Sequence, residues 1–238
     1  MGKRALVVLD EGPEESDLIQ AVLKSSGMDC VTLTKSADAP GLLNNETFGL
    51  VVLDLQPLAN AFALARQARE SGFNRATPII LMSDDQSTAA VSGGFEAGVS
   101  FFLYKPVDEA RLVKLVRATS DAAAPKKRRF RRVVLQSRVH LASAQRKLEA
   151  ETIDISLNGM LVRAEGHFPA GSAIDVSLYL GSAAPIVCSG YVMRTLPGNR
   201  MAIQLDKLTP AESGRLQEFL LPLTSVERRA EPAAVVVA

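Results

Sequence analysis

The chain has 238 residues, 47% of them hydrophobic, so it is long enough for two domains with packed cores. The net charge is +1, but the two halves differ. Residues 1–120 contain 11 basic and 15 acidic residues, whereas residues 121–238 contain 16 basic and 11 acidic residues. The positive second half suggests an anionic ligand or partner for that half. The two cysteines are far apart, only two histidines occur, and no apolar run reaches about 18 residues. We therefore expect no disulfide framework, zinc site, secretory signal or membrane insertion, and a cytoplasmic location.

Residues 1–120 alternate short apolar runs with amphipathic segments. Five runs indicate buried strands: Ala5–Leu9, Cys30–Leu33, Gly49–Leu53, Pro78–Met82 and Ser100–Leu103. Apolar residues at helical spacing lie between or after them, at Glu14–Lys24, Leu58–Glu70, Thr88–Ala97 and Asp108–Ser120. This alternation predicts an α/β domain with a doubly wound, five-stranded parallel sheet of the flavodoxin-like type.

Four polar residues stand at the carboxyl ends of the predicted strands. Asp10 follows the first strand, Asp54 the third and Lys105 the fifth, and Ser83 follows the fourth. In such a sheet these ends share one edge, where ligands bind. Two carboxylates, Asp10 and Asp54, are a candidate Mg²⁺ site, and a lysine and a hydroxyl can hold a phosphoryl group on one carboxylate.

These segments resemble the receiver domain of two-component response regulators. LVVLDLQP is similar to the family's phosphoacceptor strand, which implies that Asp54 is the candidate phosphoacceptor. LMSDD implies that Ser83 is the switch hydroxyl. FFLYKPVD implies that Lys105 is the site lysine and that Phe102 holds the aromatic switch position.

Two departures from the receiver pattern affect the expected chemistry. Leu9 stands where the family has the first of two acids, which leaves Asp10, helped by Glu11, as the metal ligand after the first strand. Asp84 follows the switch hydroxyl, where a carboxylate repels a phosphoryl group. The sequence therefore leaves two alternatives: a receiver-like docking module and a working phosphoacceptor.

The pattern changes after residue 120. An Ala/Pro linker is followed by a run at 126–132 in which six of seven residues are basic. Six short strand-like segments predict a small antiparallel β-barrel: Val133–Leu141, Lys147–Ile155, Met160–Ala164, Ile174–Leu180, Ile186–Thr195 and Met201–Leu205. A closing helix is expected at Pro210–Leu221, with Thr209 as its N-cap. We expect a receiver-like domain at 1–120, a linker and basic arm at 121–132, a barrel domain at 133–225 and a disordered tail at 226–238.

Two motifs in the second half lie in order. Arg128 and Arg132 have the spacing RxxxR, and Asp154-Ile155-Ser156-Leu157-Asn158-Gly159 has the pattern DxSxxG. Together they resemble the two signatures of the PilZ domain, whose ligand is cyclic di-GMP. The resemblance implies ligand binding by five residues: Arg128, Arg132, Asp154, Ser156 and Gly159. Arg129, between the two arginines of the first motif, is a candidate supplementary contact, and plain solvation is its alternative role.

The chemistry of these residues suits a cyclic dinucleotide. Arginine pairs with phosphate oxygens or with guanine O6 and N7. The Asp154 carboxylate can accept hydrogen bonds from guanine N1–H and N2–H₂, and the Ser156 hydroxyl can bind a phosphate or a base edge. Gly159 allows a positive φ or a close backbone approach by the ligand.

The sequence therefore predicts a non-enzymatic cyclic di-GMP effector that acts by ligand-dependent domain reorientation and through an unidentified protein partner. The alternative is a protein-interaction adaptor in which both domains have lost their small-ligand chemistry. DNA binding is not expected, because only Phe130 interleaves the basic run. A homodimer is compatible with this organisation.

Overall fold

The computed structural model describes residues 3–10, 13–120, 132–181 and 183–226, and the chain forms two compact units. Residues 3–120 contain the strands β1 (Lys3–Leu9), β2 (Met28–Leu33), β3 (Leu50–Asp54), β4 (Ile79–Ser83) and β5 (Phe101–Tyr104). Their helices are α1 (Pro13–Ser25), α2 (Ala39–Asn45), α3 (Leu58–Glu70), α4 (Thr88–Ala97) and α5 (Glu109–Ser120). The strands lie in the order β2-β1-β3-β4-β5, and all pairings are parallel.

The apolar runs form the strands because both faces of this sheet are covered. Every residue of β3 and of β4 is buried, as expected for strands packed between helices. β3 ends at Asp54 and β4 at Ser83, one residue beyond the ends expected from the apolar pattern. That pattern did not locate α2, which has only seven residues and buries Ala39 and Leu43.

A buried arginine fastens the end of α3 to the segments that lead into β4 and β5. Arg69 is 4% exposed. Its Nε and Nη2 donate to the carbonyl oxygen of Gly98 at 2.9 and 2.6 Å, and its Nη1 donates to that of Thr77 at 2.6 Å. The guanidinium thus satisfies loop carbonyls that would otherwise be buried without donors.

Residues 132–226 form a closed antiparallel barrel with a helix. The strands are β6 (Val133–Val134), β7 (Arg138–Ala142), β8 (Lys147–Ser156), β9 (Gly159–Ala164), β10 (Ala173–Leu178), β11 (Ile186–Leu196) and β12 (Arg200–Asp206). Six of them pair in the order β8-β7-β10-β11-β12-β9, and the β8–β9 pairing closes the ring. β6 pairs with the last part of β8. The predicted fold classes of both halves are confirmed.

The first barrel segment is not one strand, contrary to the sequence prediction. β6 and β7 are separate because the Thr152 hydroxyl takes the place of two backbone partners in the pairing of this segment with β8. The Thr152 hydroxyl accepts from the Ser137 amide at 3.0 Å and donates to the Leu135 carbonyl at 2.5 Å. The chain therefore leaves the strand path between Val134 and Arg138.

The closing helix, α6 (Pro210–Val226), begins as predicted and extends beyond its predicted end at Leu221. The Glu212 amide donates to the Thr209 hydroxyl at 3.2 Å, and the Thr209 amide donates to Glu212 Oε2 at 3.2 Å, which is a capping box. Val226, expected in the tail, ends the helix, and residues 227–238 lie outside the described residues. Over the described part of the chain, no helix is both long and apolar enough to span a bilayer.

Candidate functional site

The carboxyl edge of the parallel sheet contains a buried cluster of three charged groups. Asp54, at the end of β3, is 1% exposed. Lys105 Nζ lies 2.9 Å from Asp54 Oδ2 and 3.1 Å from Glu15 Oε2. Glu15 belongs to the first turn of α1. One lysine is therefore shared between two carboxylates.

Burial raises the pKa of Asp54 from its ordinary value of 3.8 to about 6. The Lys105 ammonium acts in the opposite direction through its hydrogen bond and its charge, and Glu15 raises the pKa further. Loss of hydration is thus the larger effect, and the single lysine does not offset it. Asp54 is therefore ionised at pH 7, and its buried charge lowers the free energy of unfolding.

The other predicted residues of this edge lie around Asp54. Asp10 donates its amide to the Asp54 carbonyl oxygen at 2.9 Å, and its Oδ2 accepts from the Gln56 amide at 2.8 Å. Ser83 is buried, its hydroxyl accepts from the Asp85 amide at 2.9 Å, and its carbonyl oxygen accepts from the Lys105 amide at 3.0 Å. The topology therefore brings the four predicted residues to one edge.

The two departures noted in the sequence have visible consequences. Leu9 pairs with Asp54 across the β1–β3 ladder and is 2% exposed, so an apolar side chain occupies the strand end next to the acid. Asp84 is exposed, and its Oδ1 accepts from Gln56 Nε2 at 3.2 Å. Gln56 thus ties both Asp10 and Asp84 to the loop after β3.

The second candidate site joins the two motifs of the barrel. β6 pairs antiparallel with β8, with Val133 opposite Ile155 and Val134 opposite Asp154. This pairing brings Arg132, just before β6, to Asp154, and Arg132 Nη1 forms an ion pair with Asp154 Oδ1. Both side chains are partly exposed, at 26% and 20%.

Two family models match the chain, one to each half. The response regulator receiver domain matches residues 6–117 and the PilZ domain matches residues 126–221. Over 115 residues the chain is 30% identical to Protein PilH of Pseudomonas aeruginosa. The aligned residues cover 48% of this chain and 94% of that protein. The chain belongs to the response regulator receiver family and carries a PilZ domain. Both predicted resemblances are confirmed.

Other similar proteins match the receiver half alone. The DNA-binding response regulator MtrA of Mycolicibacterium smegmatis is 28% identical over 118 residues, which are 49% of this chain and 50% of that protein. The chemotaxis response regulator CheY4 of Vibrio cholerae has 19% identity and a TM-score of 0.46, covering 50% of this chain and 99% of that structure.

The receiver edge offers two carboxylates to a divalent cation. Asp54 Oδ1 is buried and accepts no hydrogen bond, whereas Asp10 Oδ2 is already engaged by the Gln56 amide. Among the residues that the structure describes, no three His, Cys, Asp or Glu side chains form a group that could hold a metal. Mg²⁺ tolerates few protein oxygens and keeps several waters, so Asp10 and Asp54 would be its ligands. This assignment stays a prediction.

In the PilZ domain, Ser156 and Gly159 close the β8–β9 hairpin. The Ser156 hydroxyl is buried and donates to the Gly159 carbonyl oxygen at 3.0 Å. A Cβ on Gly159 would lie 2.5 Å from the Ile203 carbonyl oxygen of β12, and Gly159 is not among the positive-φ glycines. A close approach of the neighbouring strand therefore explains this glycine, not the positive φ that the sequence allowed.

The remaining predicted ligand residues, Arg128 and Arg129, lie outside the described residues. Sequence reasoning also missed one residue of the receiver edge, Glu15. Its only signal was an acidic pair in the first turn of a predicted helix, which is typical of helix N-termini in general.

Proposed function

We propose that this protein is a non-enzymatic effector that binds cyclic di-GMP through its PilZ domain. The ligand residues are those predicted from the two motifs: Arg128, Arg129, Arg132, Asp154, Ser156 and Gly159. The ion pair between Arg132 and Asp154 is the observation that carries this proposal, because it joins the end of one motif to the start of the other. The pairing of β6 with β8 fixes this contact.

The pair is suited to bind a guanine nucleotide. Arg132 offers a planar fork of donors, which fits guanine O6 and N7 or phosphate oxygens. Asp154 offers only acceptors, which fit guanine N1–H and N2–H₂. Because both side chains are partly exposed, a ligand can reach them without unfolding the barrel.

The Ser156 hydroxyl supports the site by a different route from the one expected. Its hydrogen bond to Gly159 holds the hairpin that presents Asp154. A direct contact with the ligand would require the hydroxyl to accept a further hydrogen bond or to rotate, because it is buried. Its role as a ligand residue remains part of the proposal.

Calorimetric titration of the full chain with cyclic di-GMP tests the proposal. Loss of a charge-assisted hydrogen bond costs about 1.5–3 kcal/mol, so Arg132→Ala should weaken binding about tenfold or more. Arg146→Ala is the matched control, because Arg146 is exposed just before β8, at the opposite end of that strand from Asp154. Absence of binding by the unaltered protein, or unchanged affinity in Arg132→Ala, would refute this site.

Output is proposed to pass to a protein partner through a change in domain orientation. Arg128 and Arg129 belong to the segment between the receiver match, which ends at 117, and β6. Ligand binding would constrain that segment and thereby the positions that the two domains can adopt. Fluorescence distances between labels on the two domains should change when cyclic di-GMP is added, and unchanged distances would contradict this mechanism.

An adaptor function is the second candidate, and the receiver edge favours it. Leu9 beside Asp54 and the shared Lys105 suit a domain that docks without being phosphorylated. In that case the titration shows no nucleotide binding, while a partner protein still binds.

A further inference from the structure

The outer face of the PilZ barrel continues from Asp154 across three strands. Cross-strand partners point to the same side of a sheet. Asp154 of β8 is opposite Leu161 of β9, Leu161 is opposite Ala202 of β12, and Ala202 is opposite Arg194 of β11. These four residues form one row, which we call the Asp154 row.

A second row runs beside the first. Gly159 of β9 is opposite Gln204 of β12, and Gln204 is opposite Tyr191 of β11. The residues between the rows face the barrel interior, and so do those just beyond the Asp154 row. All are at most 2% exposed: Met160, Val192 and Ile203 between the rows, and Val162 and Met201 beyond them. The two rows therefore belong to the solvent side of the barrel, like Asp154 itself.

A β-bulge determines which side chain ends the Asp154 row. The register of β11 against β12 shifts between Val192 and Arg194, so Met193 is skipped and Arg194 is the partner of Ala202. Without the shift, the alternation from Tyr191 would place Met193 there. Bulges commonly re-aim a side chain next to a functional site.

The two rows form a shallow floor with polar groups at both ends. Gly159 has no side chain and Ala202 has only a methyl group, whereas Leu161 and Gln204 are the larger residues of this floor. The floor crosses three strand spacings, about 14 Å along the curved sheet. Asp154 stands at one end, and Tyr191 and Arg194 stand together at the other.

The side chains at the far end are available to a ligand. Tyr191 is 42% exposed. Arg194 is exposed and forms no hydrogen bond or ion pair within the part of the chain that the structure describes. By contrast, Arg200 on the neighbouring strand donates its Nε to the Pro197 carbonyl oxygen at 2.8 Å.

We propose that Tyr191 and Arg194 are a second contact region for the cyclic dinucleotide, which rests on the proposed function. The ligand has two guanines and two phosphates, so one guanine held at Arg132 and Asp154 leaves the other half of the molecule to cross the floor. The Tyr191 ring stacks on the distal guanine, and the Arg194 guanidinium pairs with the distal phosphate. The small Ala202 leaves room for the ribose-phosphate ring beside Leu161 and Gln204.

Titration of full-length variants with cyclic di-GMP tests this second region. Arg194→Ala and Tyr191→Ala should each weaken binding about tenfold, which is typical of a lost base stack or charged hydrogen bond. Tyr191→Phe keeps the ring and should bind within about twofold of the unaltered protein. Arg163→Ala is the matched control, because Arg163 is exposed on the same face, two residues along β9 from Leu161 and outside both rows.

The outcomes separate this inference from the proposal on which it rests. If the unaltered protein binds and both Arg194→Ala and Tyr191→Ala bind equally well, the second region is wrong and the motif site stands. If Arg163→Ala loses as much affinity as Arg194→Ala, the effect is general charge and the assignment is overturned. If the unaltered protein does not bind, both proposals fall. Circular dichroism of each variant checks that the barrel has folded.

Discussion

Replacing Asp54 by Asn should stabilise the receiver domain at neutral pH and remove a pH dependence of its stability. Asp54 is buried, and this burial raises its pKa from 3.8 to about 6 despite the nearby Lys105. Between about pH 4 and pH 6 the folded protein binds a proton at Asp54 that the unfolded chain has released. Stability therefore falls as the pH rises through this window, and the whole penalty is present above pH 6.

The size of the penalty follows from the pKa shift. A difference of about two pKa units corresponds to about 3 kcal/mol when Asp54 is fully ionised. Asn keeps the shape of the side chain without its charge and removes the ion pair with Lys105, whose effect the pKa shift already includes. We expect Asp54→Asn to be more stable than the unaltered protein by about 1–3 kcal/mol at pH 7.5, and this advantage to be about 2 kcal/mol smaller at pH 4.5.

Scanning calorimetry of the full chain between pH 4.5 and pH 8 measures this difference. For a domain of this size, 1 kcal/mol shifts the transition by about 3–4 °C. Asp84→Asn is the control, since it removes the same charge from an exposed position at the same edge. If Asp54→Asn unfolds at or below the temperature of the unaltered protein at pH 7.5, or if its advantage is as large at pH 4.5 as at pH 7.5, burial of the charge is not what raises the pKa.

Two further predictions concern the receiver domain. Acetyl phosphate with Mg²⁺ should phosphorylate Asp54 only substoichiometrically, and Glu15→Gln should increase the yield because it removes one carboxylate that competes with the phosphoryl group for Lys105. Intact mass reports both results. Stoichiometric phosphorylation that is lost in Asp54→Ala would show that the docking-module interpretation is wrong. Arg69→Leu should destabilise the domain by about 3 kcal/mol or more, because it leaves the carbonyl oxygens of Gly98 and Thr77 buried without donors. Urea denaturation measures this loss. An unchanged midpoint of unfolding would mean that water replaces the guanidinium.

The elements that the sequence predicted well are those whose local pattern agrees with their final burial. β3 and β4 are buried on both faces, so an unbroken apolar run was sufficient to locate them to within one residue. The edge that holds Asp54 then followed from topology, because parallel strands end together. The start of α6 was located by Thr209 as N-cap and Pro210 as the first helical residue, and the structure adds that Glu212 completes a capping box with Thr209.

The features that the sequence did not predict depend on contacts between distant segments. The break between β6 and β7 results from the Thr152 hydroxyl, which binds the Ser137 amide and the Leu135 carbonyl oxygen in place of backbone partners. The bulge that aims Arg194 outward is a mismatch between two strands and leaves no mark in either strand alone. Only the register shows that Arg194 shares a row with Asp154.

Glu15 supplies a negative charge to the receiver edge, where Leu9 lacks one, but it does not take the place of a metal-binding acid at position 9. The receiver resemblance implies an acid at position 9, and Leu9 removes a negative charge next to Asp54. Glu15 returns one charge to the edge, but it approaches from α1 and lies against Lys105. A carboxylate there competes for the lysine that a phosphoryl group would need, and it raises the pKa of Asp54 instead of helping a cation lower it. The charge count of the edge is therefore preserved while its chemistry is changed, which is why Glu15→Gln tests the edge more directly than replacing Leu9 would.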